Sequence, residues 1–130
     1  MISEEANMAR ILIIDDDDQF RTMLRKMFEK AGYVDIEEAN DGAVGMKIFR
    51  QRPFDLVITD IIMPDKEGLE TIIELTDDYP QIKIIAMSGG GRIGPRDYLQ
   101  AAKHLGASRT LLKPFNYAEL VDTVQELLSE

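Results

Sequence analysis

Four aspartates in a row, DDDD at 15–18, follow the apolar run RILII, and Asp60 closes the apolar run LVIT. Two more polar residues also stand directly after apolar runs: Ser88 after IKIIAM and Lys113 after RTLL. If those runs are neighbouring strands, Asp15, Asp16 and Asp60 converge with a hydroxyl and an ammonium on one edge of a sheet. Carboxylates that close cannot all stay ionised without a counter-charge. A hard divalent cation answers this, because magnesium takes oxygen ligands, keeps several waters and often shares its shell with phosphate. Lysine is a point charge suited to a phosphoryl oxygen, and the serine hydroxyl can donate one more hydrogen bond. The set suits phosphoryl chemistry on or near a carboxylate. A carboxylate can itself be the nucleophile and form an aspartyl phosphate.

The elements that must position these residues follow from periodicity. RILII, a more polar run over 34–39, LVIT at 56–59, IKIIAM at 82–87 and RTLL at 109–112 read as five short strands. Between them lie helical patterns. Phe20, Met23, Leu24, Met27 and Phe28 recur at helical spacing up to Gly32. AVGMKIFRQ forms a second helix ended by Pro53. Leu69, Ile72, Ile73 and Leu75 mark a third, closed at Tyr79-Pro80. A fourth spans about 96–105, and Asn116 caps a last one carrying Leu120, Val121, Val124, Leu127 and Leu128. MPDKEG is a loop. Five strands alternating with five helices imply an α/β, doubly wound, parallel sheet covered on both faces, with right-handed crossovers. In such sheets the functional site lies at the carboxyl ends of the strands.

The chain has 130 residues, which fits one domain: a flexible tail over 1–8 and a folded unit over 9–130. It holds no cysteine, so it has no disulfide framework, thiolate metal site or thiol nucleophile. The formal charge of -9 repels phosphate backbones and argues against nucleic acid as a partner. No apolar run reaches the roughly 18 residues of a membrane span. The start MISEEANMAR lacks the apolar core of a secretion signal. A soluble cytoplasmic protein is the expectation.

ILIIDDD, VITDIIMPDKEG, IIAMSG and LLKPF together resemble the successive motifs of the receiver domain of two-component response regulators. Each motif alone is weak, but four in order, from about Arg10 to the end, are specific. The resemblance implies a flavodoxin-like sheet of strand order 2-1-3-4-5, with Asp60 as phosphoacceptor. It implies Mg2+ ligated by Asp16, with Asp15 assisting, by Asp60, and by the backbone carbonyl of Ile62. Ser88, the backbone N–H of Gly89, and Lys113 would meet the phosphoryl group, and the bond before Pro114 is often cis in the family. The donor would be a phosphohistidine on a histidine kinase or phosphotransfer protein. Since the sequence stops after the fifth helix, output is expected through contact with a downstream target protein, from a monomer or weak dimer. The protein would assist its own phosphorylation and dephosphorylation without being an enzyme in the ordinary sense.

Two departures from the family pattern stand out. Three residues before the lysine, where an aromatic side chain usually moves on activation, stands Thr110. The stretch between Ser88 and Gly106 is longer than usual and glycine-rich, so a mobile loop over 88–97 is expected there. Within it GGGRIG matches G-x-G-x-x-G, but no acidic residue lies about 20 positions on to hold a ribose, and the match reads as accidental. Ile62 and Gly90, two positions after Asp60 and Ser88, offer no polar group to an attacking water, so slow hydrolysis of the phosphate is expected.

Plainer readings apply elsewhere. Asp17 or Asp18 caps the first helix. His104 is a surface or boundary residue, and the methionines are mostly core filler. A rival from the enzyme class is a small magnesium-dependent phosphatase, with Asp15-x-Asp17 as its D-x-D and Asp15 as nucleophile. A third reading is a receiver-like interaction module that works without phosphate.

Overall fold

The computed structural model describes residues 8–61, 68–89 and 95–130. The strands are β1 (Arg10–Ile14), β2 (Asp35–Ala39), β3 (Leu56–Asp60), β4 (Lys83–Ser88) and β5 (Arg109–Leu112). The helices are α1 (Asp18–Lys30), α2 (Gly42–Gln51), α3 (Gly68–Asp78), α4 (Pro95–Leu105) and α5 (Tyr117–Leu128). All strand pairs are parallel, in the order β2-β1-β3-β4-β5. The expected fold class and strand order are therefore met.

Alternation along the strands explains the layers. Successive side chains point to opposite faces, so Ile11 and Ile13 of β1 pack with Leu24 and Phe28 of α1 and Leu120 and Val124 of α5. Leu12 and Ile14 face the other way, onto Met46 and Phe49 of α2, Ile72 and Leu75 of α3 and Ala102 of α4. The sheet thus separates two apolar cores, and β3 between them is buried at every position. Each fully buried Leu, Ile or Phe contributes about 1.5–3 kcal/mol, which gives the sheet edge a rigid frame.

The caps decide where the helices start. Asp17, not Asp18, is the N-cap of α1, its carboxylate accepting from the N–H groups of Gln19 and Phe20. Asp41 caps α2 through the Val44 N–H, and Asn116 caps α5 through the Glu119 N–H. The Lys113–Pro114 peptide bond is cis, as the family resemblance implies.

Some expectations fall outside the described residues: most of the 1–8 tail, the MPDKE part of its loop with Ile62, and the glycine loop over 90–94. The methionines divide: Met46 and Met87 are core and Met27 packs against it, whereas Met23 is exposed on α1 and Met8, ahead of β1, is 72% exposed. His104 is exposed, as expected. No described helix is long and apolar enough to cross a membrane.

Candidate functional site

Asp15 is the first residue beyond β1, and its backbone N–H continues the ladder to the Ala39 carbonyl at 3.1 Å. That register turns its carboxylate inward and leaves it fully buried. One oxygen accepts the N–H of Asp17 at 2.9 Å, and the other accepts Lys113 Nζ at 2.9 Å. Asp16 follows on the exposed side of the turn. Asp60 is the last residue of β3, only 7% exposed, with one carboxylate oxygen 3.3 Å from Lys113 Nζ. Oxygens of Asp15, Asp16 and Asp60 lie within 4.8 Å of one another.

Ser88 ends β4 and Lys113 follows β5, joined by the bond from the Lys113 N–H to the Ser88 carbonyl at 2.8 Å. The Ser88 hydroxyl is fully buried and has no hydrogen-bond partner among the described residues. A buried unpaired hydroxyl costs on the order of 1–3 kcal/mol, so its retention points to a polar group arriving from outside. Gly89 adjoins it. A Cβ there would run into the Lys113 side chain, so glycine is what lets the lysine stem lie against the loop.

The electrostatics follow from this packing. Burial pushes the Asp60 carboxyl up to about 6; Lys113 pulls it down, and the charges of Asp15 and Asp16 add to the rise. Burial alone would lower the Lys113 ammonium. Its hydrogen bond to Asp15 and the charge of Asp60 outweigh that, and its pKa stands above the ordinary lysine value. Lys113 sits closer to Asp15 than to Asp60, which is why the shared ammonium leaves Asp60 poorly compensated.

Of the expected site residues, Asp15, Asp16, Asp60 and Lys113 form one cluster, Ser88 and Gly89 lie beside Lys113, and Ile62 lies outside the described residues. Thr110 is half-buried in β5 opposite Ala86. It shares that residue's face of the sheet, the one covered by α2, α3 and α4.

Three contributors were not legible as such. Arg21 donates to the Asp15 carbonyl at 2.7 Å, to Glu38 at 2.9 Å and to Asp18 at 2.7 Å, tying the acidic turn to α1 and β2. Its one signal was its place four residues after the capping Asp17. Gly68 opens α3 against the backbone of Asp60 and Ile61, where a Cβ would strike the Asp60 carbonyl. Phe20, read only as an apolar helix position, lies with its ring under Lys113 Nζ, 4.0 Å from the centroid.

The donor set fits a hard divalent cation. It offers only oxygens, two of its three carboxylates are buried, and among the described residues the Lys113 ammonium in contact leaves the cluster net negative. The D-x-D phosphatase arrangement fits poorly. Asp17 is committed to capping α1, and both Asp15 oxygens are engaged.

The family model for the response regulator receiver domain matches residues 11–125. Over 121 residues the chain is 32% identical to the response regulator receiver protein CpdR of Brucella abortus (strain 2308), covering 93% of this chain and 98% of that protein. It is 33% identical over 119 residues to sporulation initiation phosphotransferase F of Bacillus subtilis (strain 168), covering 92% and 93% of the two chains. Among solved structures, chemotaxis protein CheY4 of Vibrio cholerae superposes with a TM-score of 0.82 at 30% identity, covering 92% of this chain and 98% of that one.

Proposed function

Because the chain belongs to the response regulator receiver domain family, we propose that Asp60 is its phosphoacceptor, taking a phosphoryl group from a phosphohistidine of a sensor kinase or phosphotransfer protein in the cytoplasm. The observation that carries this reading is the buried Asp60 carboxylate at the end of β3, next to two further carboxylates and bridged by Lys113.

Asp15, Asp16 and Asp60 would hold Mg2+, with the Ile62 carbonyl as a further ligand. When bound, the cation supplies charge neutralisation for the phosphoryl oxygens. An Asp60 carboxylate oxygen forms the new bond to phosphorus as the phosphorus–nitrogen bond of the donor breaks, and the electron pair leaves with the imidazole. Lys113 exchanges a carboxylate for a phosphoryl oxygen and neutralises the charge that gathers there. Ser88 gains the acceptor its buried hydroxyl lacks, and the Gly89 N–H adds a second donor. The product adds about -1.5 to -2 charges at the sheet edge. Drawing Ser88 and its loop inward would then shift an existing equilibrium between two surfaces, one of which a target protein reads. Thr110 takes the place of the usual aromatic, so the loop after Ser88 would carry that change.

Acetyl phosphate with Mg2+, followed by a phosphate-affinity gel, tests the reading. A shifted band that needs Mg2+, is cleaved by hydroxylamine and is absent in Asp60→Asn is the expected result. A shift that survives Asp60→Asn and disappears in Asp15→Asn would favour the phosphatase arrangement instead.

A further inference from the structure

Lys113 has a third contact besides Asp15 and Asp60. Its Nζ stands over the face of Phe20, 4.0 Å from the ring centroid. Phe20 is fixed at its backbone and at its ring. The Phe20 N–H is fixed by the capping Asp17 carboxylate at 3.1 Å. The ring itself meets Phe115 edge-on, with centroids 5.7 Å apart and planes at 65°. Phe115 is buried two residues beyond the lysine.

The carboxylates that hold Lys113 are the same ones offered to a cation: Asp15 at 2.9 Å and Asp60 at 3.3 Å both belong to the cluster of three. A divalent cation there competes with the ammonium for those oxygens, since hard cations bind oxygen. The aromatic face is the one contact such a cation does not claim. Resting on the reading above, we infer that Phe20 is a positioning residue for Lys113. Its ring face keeps the ammonium at the strand ends while Asp15 and Asp60 are engaged by metal, so that the lysine already stands beside the incoming phosphoryl group.

The test separates ring electronics from packing. Beryllofluoride, a phosphoryl mimic, is titrated with saturating Mg2+ into the full chain and followed by amide chemical shifts. Phe20→Leu keeps an apolar side chain but has no π face. Replacing Phe20 by a tetrafluorinated phenylalanine keeps the ring and removes most of its attraction for a cation. Both should weaken beryllofluoride binding about three- to tenfold, the range of a partly desolvated cation–π contact. Phe20→Tyr, which keeps the π face, should bind beryllofluoride as the parent does. If the fluorinated ring binds beryllofluoride as tightly as phenylalanine, whatever the leucine variant does, Phe20 acts only by packing and the inference falls. If the parent protein takes no beryllofluoride at all, the receiver-site reading falls and this inference with it.

Discussion

Two charged clusters sit at opposite edges of the same sheet. At the amino edge, Arg10 begins β1 and grips both oxygens of Asp35 at 2.9 and 3.1 Å. It also donates to the carbonyls of Pro53 at 3.1 Å and Arg52 at 3.2 Å, and its guanidinium lies 4.3 Å over the Phe54 ring. Its backbone N–H is taken by Asp55 at 2.8 Å. At the carboxyl edge, Asp15 and Asp60 share the Lys113 ammonium with Asp16 close by, and the Ser88 hydroxyl has no partner among the described residues. The amino cluster is complete within the chain and serves stability. The carboxyl cluster is held incomplete by the two cores around it and keeps its capacity for an outside ligand.

Opposite signs for similar substitutions would sharpen this contrast, and the largest effect is expected at Asp60. Its pKa is 3.8 in the unfolded chain and about 6 in the folded one. The stability linked to its protonated form is therefore fully present below pH 4 and lost as pH rises through 6. In metal-free buffer at pH 7–8, Asp60→Asn should raise the unfolding free energy by about 3 kcal/mol. The gain should shrink through pH 6 and be gone near pH 4. Denaturant titrations across that range in EDTA measure it, and an equal gain at both ends would break the explanation.

At the other edge the sign reverses. Arg10→Ala should lower stability by about 2 kcal/mol, through lost charge-assisted hydrogen bonds and acceptors left behind. A variant as stable as the parent by thermal melting would show that the amino cluster is ornamental to the fold. Next in size is Ser88→Ala, which removes an unpaired buried hydroxyl. It should leave stability unchanged or raise it by about 1 kcal/mol, while slowing phosphorylation by acetyl phosphate. A clear loss of stability would mean that the hydroxyl already has a partner. The smallest effect is expected at the exposed Arg50, which meets Glu74 at 3.3 Å and Asp78 at 2.8 Å. Arg50→Ala should change the unfolding free energy by less than about 0.5 kcal/mol in a denaturant titration, which calibrates surface pairing against the two clusters.

The sequence by itself determined the elements, because their signals are local. Apolar runs mark strands, spacing marks helices, and Asn116 marks the start of the last one, while the choice of Asp17 over Asp18 and the capping by Asp41 came from the structure. It also determined which residues end each strand, and in a parallel sheet all the strand ends lie on one edge. That is why the sequence alone gathers Asp15, Asp60, Ser88 and Lys113. Only the tertiary structure decided how charge is shared among them. Lys113 reaches Asp15 across 98 residues of sequence, and its preference for Asp15 over Asp60 depends on the relative placement of β1, β3 and β5. The same holds for Arg21 against the Asp15 carbonyl, Gly68 against the Asp60 backbone and Phe20 beneath Lys113. In sequence these are an ordinary helix arginine, a loop glycine and a core phenylalanine. Their roles come from distances of a few ångströms between elements, which spacing along one element does not encode.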